Sequence, residues 1–202
     1  MLDKTTLKQR TAMVIDQFEG IVPQYEAFYI HSIVYAADRA NEAFKRFESV
    51  VSELESKELA VSTVQEALTH AGALSRFFWP PNNAGKLAVT RGERLCKAFD
   101  LDDSSPLRSR DLRHAFEHFD EKLDQFLLQK DRGYFFPGPM VGEQVLADAE
   151  IGHIFRLVDA THNICVLLGK KFQFLPIREE VHRILIRALE MDKEGCRLII
   201  QI

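Results

Sequence analysis

Three cysteines among 202 residues, Cys96, Cys165 and Cys196, are an odd number without paired spacing. That excludes a disulfide framework and a paired-cysteine zinc site, and the three read as reduced thiols of a cytoplasmic protein. Phosphate-cradling loops are missing too. There is no P-loop and no G-x-G-x-x-G after a predicted strand, which removes most nucleotide-hydrolase and dehydrogenase readings. The absence of G-x-S-x-G removes most esterases. The N-terminus, MLDKTTLKQR, has no apolar signal core, and no apolar run approaches the ~20 residues of a membrane span. The expectation is a soluble, cytoplasmic protein with no membrane partner. Basic excess is also lacking. With 26 Lys and Arg against 30 Asp and Glu, the net charge is −4, so a nucleic-acid site has to be a local patch. The chain carries no internal repeat and no low-complexity segment.

What is present is apolar periodicity. Hydrophobic residues make up 46% of the chain, enough for one core, and the expectation is a single domain over 1–202. The pattern predicts a short helix from Leu2 to Gly20 and a long one from Pro23 to about Ser56. In the long helix, Tyr25/Phe28/Tyr29, Ser32/Ile33/Ala36, Ala40/Ala43/Phe44/Phe47 and Val50/Val51/Leu54 keep a three–four spacing. His31 lies among these apolar residues and reads as a core or boundary histidine rather than a ligand. A third helix is predicted from Ser62, as N-cap, to Trp79, where Pro80 and Pro81 end it. A fourth runs from Gly85 or Lys86 to Phe99, and short connections argue for an antiparallel bundle over about 1–131. After Lys130 the composition changes. The stretch 131–139, DRGYFFPGP, reads as an aromatic Gly/Pro loop. His153–Val158, Asn163–Leu168 and Lys171–Leu175 then read as a small antiparallel β-meander with a hairpin turn at Gly169-Lys170. A last helix, Ile177–Asp192, turns Val181, Ile184, Leu185, Ala188 and Leu189 inward. The fold class is therefore mainly α, an antiparallel helical bundle with a C-terminal meander and a final helix over about 132–202.

The chain is organised around 104–130, SSPLRSRDLRHAFEHFDEKLDQFLLQK. Ser105 as N-cap and Pro106 at the first helical position predict a helix of about six turns, to Gly133. At about 100° per residue, Leu112, Ala115, Phe116, Phe119, Leu123 and Phe126 share a core arc. The opposite arc holds Arg110, Arg113, His114, Glu117, His118 and Glu121.

Within that polar arc lies Arg113-His114-Ala115-Phe116-Glu117-His118. It resembles the R-(N/D/H)-x-x-x-H signature of HEPN-domain ribonucleases, and SPLRSRDLRHAFEHFDEKLD is similar to an uncharacterised bacterial branch of that family, over most of the chain. His114 occupies a position where Asn is common. RNA is cut without a metal when a base takes the 2′-OH proton and that oxygen attacks the neighbouring phosphate. An imidazole titrating near neutrality suits the proton transfer, and a guanidinium fork suits the phosphorane charge. Arg113 and His118 stand about 7.5 Å apart along the axis and roughly 140° around it, so two facing copies would close a better cleft. The resemblance implies that arrangement: a homodimer with facing motif helices, Arg113, His118 and His114 catalytic, and RNA as substrate. Arg110 and Arg108 are the expected substrate-binding residues. The resemblance further implies a toxin or defence effector restrained by an antitoxin or other regulatory protein. No metal or cofactor is expected.

Three alternatives remain open on the sequence. The polar arc is also a plain solvated face, with pairs such as Arg113–Glu117 and Arg110–His114 worth a few tenths of a kcal/mol each. His114 and His118, at i and i+4, suit a shared metal, and Glu150-Ile151-Gly152-His153 is one candidate for the two E-x-x-H repeats of a carboxylate-bridged di-metal bundle. Finally, a catalytically silent HEPN-like binding or dimerisation module would use the same face to recognise protein or nucleotide.

Overall fold

The computed structural model describes residues 2–53, 56–81, 83–109, 111, 118–130 and 132–199. Helix α2 (Glu26–Ser52, 27 residues) is the spine. Its buried positions Ile30, Ile33, Ala37, Ala40, Phe44 and Phe47 alternate spacings of three and four, which keeps one seam against its neighbours. That seam differs from the predicted one at its start. Tyr25 and Phe28 are exposed, at 48% and 67%, because Ile30 and Ile33 fix the inward direction. His31 consequently points outward, its side chain 61% exposed, and is not a core histidine.

Helix α1 (Lys4–Phe18) begins at Asp3, whose carboxylate accepts the Thr5 and Thr6 N–H groups at 2.9 and 3.0 Å. A 3-10 turn, Pro23–Tyr25, leads into α2. Helix α3 (Lys57–Phe78) starts earlier than the predicted Ser62. Ser56 is the cap, accepting the Leu59 N–H at 3.1 Å, while the Ser62 hydroxyl donates to the Leu59 carbonyl inside the helix. Helix α4 (Gly85–Phe99) follows the prolines as expected. One half of the core joins α2, α3, α4 and the last helix through Ile33, Leu74, Phe78, Phe99 and Ile184.

The predicted six-turn helix is found only in part. Pro106–Arg108 is a 3-10 turn, and Ser109 is extended (φ −61°, ψ 127°), so no α-helix starts at Pro106. The Ser105 hydroxyl does not cap; it donates to Glu180 Oε1 at 2.8 Å. Regular helix is present as α5 (Phe119–Leu128). Leu112, Ala115 and Phe116 lie outside the described residues, whereas Phe119, Leu123 and Phe126 are half-buried as their arc requires.

The C-terminal part holds four strands rather than three: β1 (Tyr134–Val141), β2 (Gly152–Asp159), β3 (Ile164–Leu167) and β4 (Lys170–Gln173). Their spatial order is β1-β2-β3-β4. β2–β3 and β3–β4 are antiparallel, but β1 pairs parallel to β2, so the sheet is mixed and not a meander. The segment read as a loop is thus an edge strand, irregular between Phe136 and Pro139. Proline is tolerated there because an edge strand or bulge leaves an N–H unused. The β3–β4 hairpin turns on Leu168-Gly169, one position earlier than predicted. Both residues have positive φ (49° and 77°), which a two-residue I′ turn requires.

Val158, Cys165, Leu167 and Phe172 pack the sheet onto α2 and α3. Phe174, fully buried, stacks on Phe44 at 6.1 Å and meets Phe47 edge-on at 5.7 Å. Helix α6 (Leu175–Lys193) closes the core with Val181, Ile184, Leu185, Ala188 and Met191. Among the described residues there are six α-helices, and none is long and apolar enough to cross a membrane.

Candidate functional site

Helix α5 continues the motif segment and is seated on the sheet by aromatic edges. Phe126 meets His153 and Phe155 edge-on, with centroids at 6.1 and 5.7 Å, and Phe135 of β1 joins the same group. His153 is buried, and its Nε2 lies 2.7 Å from the Arg132 carbonyl. Neither the burial nor that contact suits the E-x-x-H metal reading of 150–153. Beside it, Gly133 has φ +120°, and a Cβ there would stand 2.5 Å from the Ile151 carbonyl and 2.7 Å from His153 Nε2. Only glycine fits this approach. Yet α5 buries none of its residues fully, and Leu127 and Leu128 are exposed.

Between α5 and the β3–β4 hairpin runs a groove of about 340 Å³. Phe126, Leu167 and Phe172 are among its apolar lining, and Lys122, Gln125 and Lys170 among its polar groups. Cations and rings are interleaved around α5. Lys170 Nζ stands 5.1 Å over Phe172, Lys130 Nζ 5.9 Å over Phe126, and the Arg156 guanidinium 3.9 Å over Phe119. Lys170 also faces Asp111 at 3.8 Å.

The predicted site residues fall unevenly. Arg110, Arg113 and His114 lie outside the described residues. His118 stands at the N-cap of α5 with its side chain 47% exposed and its Nδ1 3.6 Å from Glu121 Oε1. Its carbonyl accepts the Lys122 N–H at 3.0 Å, which puts His118 one turn before the groove's first lysine. Arg108 is placed elsewhere. It pairs with Asp103 at 2.8 Å and lines a separate cleft with Trp79, Glu93 and Cys96. The structure does not bring Arg108 and His118 into one cavity.

No family model, curated protein or solved structure matches this chain. The HEPN resemblance rests on the residues 104–130 themselves.

The groove residues were not singled out by sequence reasoning, although part of the signal was present. Lys122, Gln125, Phe126 and Gln129 recur at i, i+3, i+4 and i+7, a single stripe of α5. Their partners Lys170 and Phe172 come from the hairpin, which no local pattern links to that stripe. The thiols Cys96 and Cys165 offer no nucleophile: burial pushes them up to about 11 and about 12.

Proposed function

We propose that this chain is a metal-independent endoribonuclease of the HEPN type, acting as a homodimer. One coincidence carries the reading. The Arg113…His118 motif runs directly into a helix whose flank is a groove of lysines and aromatic rings, a surface suited to single-stranded RNA. In this reading the groove holds the strand while His118 moves the 2′-OH proton. Arg113 stabilises the charge that develops on phosphorus, and His114 orients the substrate or His118. Exposed Leu127 and Leu128 on a helix with no fully buried residue support a second copy packing there, as an isologous dimer needs. A toxin or defence role, with an antitoxin as partner, fits an enzyme that must be restrained inside its own cell.

The test is cleavage of a mixed-sequence RNA by the purified full-length protein. Activity is expected to persist in EDTA and to leave 2′,3′-cyclic phosphate ends, since the attacking oxygen belongs to the RNA. A 2′-deoxy sugar at the cut position should block the reaction. Arg113→Ala, His118→Ala and Arg113→Lys should each abolish most cleavage, the last because a point charge does not replace a planar fork. Loss of activity in EDTA, regained with zinc or manganese, would overturn the metal-free mechanism.

A second reading has its own observation. Arg108 is neutralised by Asp103, and acidic Asp120 and Glu121 fill the first turn of α5, beside His118. A silent HEPN-like binding or dimerisation module that recognises a protein or nucleotide fits this balance. RNA retention by the wild type without cleavage, weakened in Lys122→Ala, would establish it over the enzyme.

A further inference from the structure

Three ligand-type side chains, two of them close in sequence and one 165 positions away from Cys196, converge at the end of α6. His31 lies on α2, Asp192 in the last turn of α6, and Cys196 in the turn just beyond. Cys196 Sγ is 2.9 Å from Asp192 Oδ1 and 3.8 Å from His31 Nε2, and that imidazole nitrogen is 3.6 Å from the same carboxylate oxygen. Among the described residues this is the one group of His, Cys, Asp or Glu so assembled.

We propose that His31, Asp192 and Cys196 bind a borderline divalent cation of the Zn2+ type, with water as the fourth ligand. Geometry supports the cation. A tetrahedral Zn2+ with bonds of about 2.0–2.3 Å holds its ligand atoms about 3.4–3.6 Å apart. The two edges from His31, at 3.6 and 3.8 Å, are already near that spacing. The third edge, where the thiol donates to the carboxylate, is shorter at 2.9 Å. When the metal enters, that thiol proton leaves to solvent, the sulfur becomes the metal's thiolate ligand, and this edge opens by about 0.7 Å to the tetrahedral value.

The ligands are held in advance. Ile30 and Ile33, flanking His31, and Ala188 and Met191, beside Asp192, belong to one buried cluster, so both backbones are fixed. Cys196 sits in the left-handed region (φ +58°), a conformation rare for a residue with a Cβ, and its N–H donates to the Met191 carbonyl at 2.9 Å. The tail beyond is pinned on both sides. Arg197 donates to the Pro23 carbonyl at 2.6 Å and the Leu198 N–H to Glu26 Oε2 at 3.1 Å. A site ordered before binding loses little entropy on binding. The donor set selects the ion class. Thiolate with imidazole and one carboxylate suits Zn2+ and its neighbours, whereas Mg2+ and Ca2+ demand oxygen ligands.

Cobalt(II) is the probe, because a cobalt–thiolate bond gives a charge-transfer absorption that cobalt bound only to N and O lacks. The full-length protein, reduced and stripped with EDTA, is titrated with Co2+ and then with Zn2+. One Co2+ per chain is expected, with the charge-transfer band, and Zn2+ should displace it. Cys196→Ser should lose the band while Cys96→Ser keeps it. His31→Gln, at an exposed position, and Asp192→Asn should weaken binding at least about tenfold, the loss typical even of outer-shell partners. Circular dichroism of each variant establishes that it is folded. A folded wild type without the band, or a band that survives in Cys196→Ser, overturns the site and leaves a plain thiol–carboxylate hydrogen bond.

Discussion

Arg94 gives the sharpest test of how the N-terminal segment is fixed to the bundle. Its guanidinium, 13% exposed, donates to the Phe18 carbonyl at 2.6 Å and the Ile21 carbonyl at 2.5 Å, and pairs with the Glu26 carboxylate. Glu26 is itself buried, and its other oxygen accepts the Leu198 N–H at 3.1 Å. Arg94→Met keeps much of the apolar stem but leaves a buried carboxylate and the Ile21 carbonyl short of a donor, while the Phe18 carbonyl keeps the Ile21 N–H at 3.0 Å. Breaking one side of a buried pair costs about 3–5 kcal/mol, and an unsatisfied carbonyl about 1–3 kcal/mol. With one of the two carbonyls still paired, the loss of the ion pair dominates, and the expected cost is about 4 kcal/mol. At roughly 2–4 °C per kcal/mol for a chain of this size, Tm should fall by about 8–16 °C. Glu26→Met is expected to be costly as well, since it strands the guanidinium. The double variant decides the matter. Replacing both charges by apolar groups is often near neutral, so it should be at least about 2 kcal/mol less destabilised than the sum of the singles. Urea unfolding of the four proteins gives the cycle, and additivity within about 0.5 kcal/mol would refute the coupling.

Asp159 should dominate part of the acid sensitivity. Burial pushes its carboxyl up, but hydrogen bonds from the Gln144 and His162 N–H groups and the His162 ring outweigh this and hold it below the ordinary range. The unfolded chain then takes the proton more readily, so the stabilisation is complete above a pH of about 4 and is lost as pH falls through the folded value. Asp159→Asn should cost about 1–2 kcal/mol at neutral pH and flatten the acid unfolding curve; an unchanged acid midpoint would contradict this. Gly133→Ala should destabilise by at least about 2 kcal/mol in urea, through the clash with Ile151 and His153 and a backbone that disfavours a Cβ. A neutral result would mean the 132–133 turn relaxes freely.

Helix interiors were largely legible, because α3 and α6 bury the residues their periodicity selects: Val64, Ala67, Leu68, Leu74, and Val181, Ile184, Ala188. Along α2 the period was legible but the phase was less so. Phe28 is the larger apolar residue, yet it is exposed while Ala37, outside the predicted seam, faces inward, where helices approach closely. Strand β1 was hidden by its own chemistry, since Pro137, Gly138 and Pro139 read locally as a loop and only the edge position permits them. The site divides in the same way. His118 and the α5 stripe follow from spacing on one helix, whereas Lys170 and Phe172 reach the groove only through the sheet. His31 and Cys196 are 165 positions apart, a distance over which no periodicity speaks.

The two rims of the sheet have a consequence for self-association. An uncovered strand edge templates addition of further strands, and from there fibrils. Here one rim, β1, carries Pro137 and Pro139, which have no N–H to offer an incoming chain, and its ladder is broken at that point. The opposite rim, β4, is four residues long and begins with Lys170 and Lys171. Neither rim presents a long unbroken hydrogen-bonding row. Strand-by-strand growth is disfavoured at both, and copies that do assemble should meet through helical surfaces. Self-association of the native protein should therefore proceed without gain of strand signal in the far ultraviolet and without thioflavin binding.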